Sequence, residues 1–388
     1  MRQRNLAAWL RTPTVLWLGL VLVCCGCDTG IDPDSLVREL RILAMRVSAG
    51  DPAAPVPTEA ELQAQVVPGA GGFDLAFTRD RVTLSTVAPA PVGPGRRLQT
   101  ARPLQHDWFL CIGVRSLYSP GTLDPECRKW GPADPDPKTS SALFYLNPSA
   151  LGSAGGPELT IATDRLKGVL GTFLQTVLAG GQGGNMTGGS MPMLPSRPLV
   201  ILLPILLRTS VVGGDPADNR DSEVGYNYLR VVIAVPALGI MLPPPNHNPV
   251  LDTVLGTQQV DGMLLPLTPC PAISGTPGGC TAYPVPRSMG TFLTGRVGDG
   301  SVETYDPIDD SGRTGVSEQL RFSWFSTDGE FSELRTGTAR PQTQWRNGDK
   351  YTAPPETSLV QLWLVVQDER GGTDWQQYEL KLEGAPSS

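Results

Sequence analysis

The stretch Leu359-Val-Gln-Leu-Trp-Leu-Val-Val-Gln367, then Asp368-Glu-Arg-Gly-Gly372, then Trp375-Gln-Gln-Tyr-Glu-Leu-Lys-Leu382, decides the fold. Val360, Leu362, Leu364 and Val366 recur at every second residue, the period of a strand with one face turned to a core. Asp368 to Gly372 carries turn residues and predicts a hairpin loop of about five residues. Upstream, Gln319 to Ser326 and Gly290 to Val297 read as further strands of the same module. The rigid run Leu242-Pro-Pro-Pro245 marks a linker, so this module spans 246–388.

A second β-rich module is expected over 39–245. Leu40 to Val47 reads as its first strand, ended by the Gly50-Asp51-Pro52 turn, and Glu61 to Val67 as another. His106 to Val114 has Trp108, Leu110, Ile112 and Val114 on one face and Phe109 and Cys111 on the other. Two apolar faces predict an interior strand. Asp164 to Leu178 departs from this pattern. Leu166, Val169, Leu170, Phe173, Leu174, Val177 and Leu178 fall at three- and four-residue spacing and predict an amphipathic helix, capped by Thr163 and stopped by Gly180. Gly180 to Pro195 reads as a loop. Leu199 to Val212 is nearly all apolar, and Pro204 inside it argues for a bulge or an edge strand. Tyr226 to Val235 alternates again.

Composition agrees with a mainly β chain. Of 388 residues, 44 are Gly and 38 are Pro, which suits many short strands joined by irregular loops. The formal net charge is -7 and no basic cluster offsets it, which argues against nucleic acid as a partner.

The amino end is an address. Arg2, Arg4 and Arg11 precede an apolar segment from Val15 to Gly26, too short for a spanning helix, which needs about twenty residues. The segment resembles a bacterial lipoprotein signal, in which cleavage before a cysteine exposes the lipid-bearing residue. Gly26 makes Cys27 the best lipidation site, although Cys24 stands where that pattern usually has Leu. A plain secretory signal is the competing reading, and both export the chain. The expected plan is signal peptide 1–26 and tether 27–38, then the two modules.

Removing the leader takes Cys24 and Cys25 with it. Cys111, Cys127, Cys270 and Cys280 then remain as disulfide candidates in an oxidising compartment. Three pairings are possible; the local one, Cys111–Cys127 and Cys270–Cys280, keeps each bridge inside one module. A loop of about fifteen residues closed this way contributes roughly 3 kcal/mol in the chain-entropy treatment. A metal site is the rival, but no CxxC spacing occurs and His106 and His247 are the two histidines.

Five segments taken together carry a family resemblance. They are Leu40-Arg-Ile-Leu-Ala-Met45, Trp108 with Cys111 and Cys127, Asn246-His-Asn-Pro249, Phe322-Ser-Trp-Phe-Ser-Thr-Asp-Gly329, and Leu362 to Gly372 with Trp375. They resemble bacterial envelope lipoproteins of the myxobacterial type, and the last also resembles the final hairpin of Ig-like and PKD-like domains. The resemblance implies two Ig-like β-sandwich modules held by a lipid anchor, the first carrying a helical and loop insertion. Cys111 departs from the antibody-type pattern, which places cysteines on flanking strands and not on the Trp-bearing one.

Catalytic motifs are sparse. The chain has no G-x-S-x-G, S-x-x-K, H-E-x-x-H, Walker A or dinucleotide pattern. His106 and His247 read as structural. Asp299, Glu303, Asp306, Asp309 and Asp310 crowd one loop and are candidate calcium ligands; the competing reading is a solvated turn. Trp324, Trp345, Trp363 and Trp375 would stack on sugar rings if they faced solvent together. The expectation is therefore a lipid-anchored envelope protein with a binding or structural role. It has no catalytic activity and no cofactor, and its partners are the membrane and an envelope protein or glycan. A carbohydrate or peptidoglycan binder is the first alternative. An envelope hydrolase, using carboxylates such as Asp374 or Glu379, is the second.

Overall fold

The computed structural model describes residues 37, 40–49, 67–68, 74–76, 81–89, 102–111, 143–146, 157–162, 166, 199–215, 218, 220–234, 246–257, 263–271, 280–286, 290–307, 313–346 and 359–383. The protein is mainly β with several sheets, and from Ser35 to Ser388 it forms one compact unit. The other unit, Met1–Asp34, lies outside the described residues, as do Cys27, Cys127, Asp309, Asp310 and the Pro-rich linker. The expected helix over 164–178 also lies outside them, except for helical, fully buried Leu166.

The first half contains β1 (Ala44–Ala49), β2 (Val67–Pro68), β3 (Asp74–Ala76), β4 (Arg81–Val87), β5 (Leu104–Cys111), β6 (Leu143–Tyr145), β7 (Glu158–Ala162), β8 (Leu199–Val211) and β9 (Ser222–Ala234). They form a three-stranded sheet, β1-β4-β7, and a six-stranded sheet, β2-β3-β9-β8-β5-β6. Apolar alternation packs the two together. Met45, Leu84 and Ile161 come from the small sheet, and Trp108, Leu110, Leu203, Ile205, Leu207 and Leu229 from the large one; all share one core. The opposite face of β5 buries Phe109 and Cys111 in a separate cluster, so β5 is the interior strand that its two apolar faces predict.

Pro204 is a correction. It sits in an interior strand, and the β8–β9 register runs unbroken from Leu199 to Ser210, with no bulge. The position is tolerated because pairing with β5 ends at Ile205, one residue short of Pro204, so no ladder bond to β5 calls on its missing N–H.

The second half contains β10 (Leu251–Thr257), β11 (Leu264–Pro266), β12 (Tyr283–Pro286), β13 (Thr291–Val297), β14 (Thr304–Tyr305), β15 (Val316–Ser317), β16 (Arg321–Ser326), β17 (Glu330–Phe331), β18 (Arg335–Gly337), β19 (Gln342–Arg346), β20 (Leu359–Gln367) and β21 (Thr373–Glu383). Two five-stranded sheets, β11-β10-β13-β19-β17 and β12-β21-β20-β16-β18, enclose a common core, and β14 pairs β15 at one end. Val360, Leu362, Leu364 and Val366 all enter that core, as their alternation requires. The other face of β20 is buried too, at Gln361, Trp363 and Val365, where an alternating strand on an open sheet would be polar. β1 packs against the neighbouring β21, so the first half covers part of this sheet.

Val37 also lies on the second half. It falls inside the expected tether of 27–38, yet it is 1% exposed and its N–H donates to the Ser326 carbonyl at 2.8 Å.

Candidate functional site

The β20–β21 turn organises the richest polar cluster among the described residues. Asp368 Oδ1 accepts the N–H groups of Arg370 (2.8 Å) and Gly372 (2.7 Å), which curls the turn and points Arg370 back over the sandwich. Its guanidinium carbon lies 4.5 Å from the centroid of the Tyr305 ring. Arg370 Nε donates to Glu318 and Nη2 to Glu303, and Glu303 also takes Nδ1 of His247. The Glu303 N–H donates to Glu318 Oε2 at 3.2 Å. Side-chain exposure falls from 43% at His247 to 19% at Glu303, 8% at Arg370 and zero at Glu318. Burial pushes the Glu318 carboxyl up, against the opposing pull of Arg370. A guanidinium held by two carboxylates over an aromatic ring is a fixed clasp with its strongest donors already used.

Two neighbouring contacts tie this turn to the segment entering the second half. Asn246 Nδ2 donates to Asp368 Oδ2 at 3.0 Å, and Asn248 Oδ1 accepts the Thr373 N–H at 2.9 Å. Beside them Asp374 accepts the Leu251 N–H at 2.8 Å and pairs with Arg46 of β1 at 3.0 Å. Arg46 also lies over the Trp375 ring, 4.8 Å from its centroid. Burial raises the Asp374 carboxyl, and the Leu251 N–H, Arg46 and the Trp375 N–H oppose it.

This arrangement redistributes the acidic loop. Glu303 is engaged by Arg370 and His247, Asp306 accepts the Gly315 N–H at 2.8 Å, and Asp299 sits in the turn after β13. Among the described residues no group of three or more potential metal ligands comes together. His106 is buried on β5, with Nδ1 3.0 Å from Thr209 Oγ1 on β8. Cys270 and Cys280 form a disulfide, and Cys111 is also disulfide-bonded.

The tryptophans do not provide a sugar platform. Trp324, Trp345 and Trp363 are no more than 1% exposed, and Trp375 carries Arg46 on its ring. Buried indoles find internal acceptors: Trp324 Nε1 donates to Thr336 Oγ1 at 3.1 Å, and Trp345 Nε1 to the Asp328 carbonyl at 3.0 Å.

The open polar surface is on the other sheet. Leu293 and Trp345 point inward from β13 and β19, so the alternate residues Phe292, Thr294, Gln342 and Gln344 face outward. With Ser332 and Arg340 they line a groove of about 480 Å³, within the usual size range of small-molecule sites. Sequence reading passed over these residues because Gln and Thr on a strand's outer face are ordinary solvated positions. Arg370 was likewise read as turn filler, since nothing local places two glutamates around it.

No family model, curated protein or solved structure matches the chain.

Proposed function

We propose that this is a lipid-anchored bacterial cell-envelope protein whose Ig-like sandwiches bind or display, with no chemistry of its own. The observation that carries the reading is the Cys270–Cys280 bridge, because such bonds persist mainly outside the reducing cytoplasm. It agrees with an export leader ending just before Cys27, whose acylation would supply a membrane anchor. Among the described residues no helix is long and apolar enough to cross a membrane. The Ig-like reading draws on two facing sheets, antiparallel except for the parallel β12–β21 pair, with Trp324 buried between them. The non-catalytic reading draws on Glu303 and Asp306, whose carboxylates serve the clasp and a turn.

Replacing Cys27 with Ser is expected to move the protein from the membrane to the soluble fraction. A variant that still sediments with membranes would overturn the anchor.

A further inference from the structure

We propose that the groove on the outer face of β13 and β19 binds a neutral glycan chain. The proposal rests on the binding role argued above and names its ligand class; it makes no use of the anchor.

Three features converge. First, the groove's lining is uncharged overall: Glu333 and Arg340 are its charged members and they cancel, in a chain of net charge -7. The remaining polar groups are hydroxyls and carboxamides such as Thr294, Ser332, Gln342 and Gln344, each of which both donates and accepts. That dual capacity matches sugar hydroxyls, which also do both. An anionic or cationic ligand would find no countercharge in excess. Second, Phe292 is 36% exposed in the groove lining and offers an apolar ring among mostly polar groups. A pyranose presents one face of C–H groups suited to such a ring. Third, β13 lies between β10 and β19, and β19 between β13 and β17. Their backbone groups pair with neighbouring strands, so an extended peptide has no free edge to extend.

The test is affinity electrophoresis of the full-length, detergent-solubilised protein in native gels containing dextran, laminarin, mannan or galactan. Retardation by at least one polymer is expected. Phe292→Ala and Gln342→Ala should each weaken it by about tenfold, the effect of truncating one dominant contact. Both side chains face outward, so the melting temperature should stay at the wild-type value. No retardation by any of the four overturns the proposal, as does retardation that both variants retain. Self-association abolished by Phe292→Ala, with no response to glycan, would assign the face to a second copy of the chain and also overturn it. None of these results alters the membrane partition of Cys27→Ser, so the two readings fail separately.

Discussion

His106 shows what one buried side chain does to the whole stability curve. Burial pushes its imidazole down to about 4 from 6.5, and the nearby Asp107 carboxylate opposes this only in part. The folded chain therefore keeps His106 neutral at pH values where the unfolded chain protonates it. Stability is complete above 6.5 and is lost as pH falls toward 4, in total about 3 kcal/mol. His106→Gln should remove this component. Urea midpoints at pH 7.0 and 4.5 should fall further for wild type than for the variant; equal falls would refute the assignment. The strand that carries His106 was legible in the sequence, because an apolar run follows the residue. Its burial was not, because the Thr209 hydroxyl arrives from 103 residues away.

Elements were the most legible level wherever alternation was strict. The β20–β21 hairpin pairs Leu359 with Lys381 and Gln367 with Thr373, which leaves the five-residue turn that the sequence predicts. Reading failed where one residue type serves two environments. Pro204 suggested a bulge or an edge but lies within the unbroken β8–β9 register of an interior strand, just past the end of its pairing with β5. The four tryptophans left open whether they faced solvent together, and Trp324, Trp345 and Trp363 are buried, because a large apolar ring gains more from burial than from a ligand.

Two turn glycines separate conformational from steric cost. Gly371 has φ +95 with open space at a built Cβ, whereas Gly329 has φ +78 and its Cβ would lie 2.5 Å from the Trp345 ring. Gly371→Ala should cost about 1–2 kcal/mol, the left-handed penalty alone. Gly329→Ala should cost roughly 2 kcal/mol more, since Trp345 is buried and must shift or strain its neighbours. Chemical denaturation of the two variants checks the ordering; equal losses would show that the indole yields freely.

At the scale of the molecule, the two halves meet in a hydrogen-bonded joint. Arg46 reaches Asp374 across 328 residues, and Asn248 Nδ2 donates to the Val47 carbonyl across 201. Separations of that length leave no local signal, so the joint could not be read from the sequence. Arg46→Ala would strand a largely buried Asp374 carboxylate, at a cost of about 1–3 kcal/mol. Wild type is expected to melt in a single calorimetric transition. Arg46→Ala combined with Asn248→Ala should split it in two, one for each core, and a single unshifted peak in the double variant would show that packing alone couples them.

Val37 gives this architecture a mechanical meaning. Among the described residues, tension from the amino end meets the Val37–Ser326 bond, at the tip of a strand in the far half, before it reaches the β1–β4 pair. The half that comes last along the chain thus takes that strain ahead of the half that precedes it.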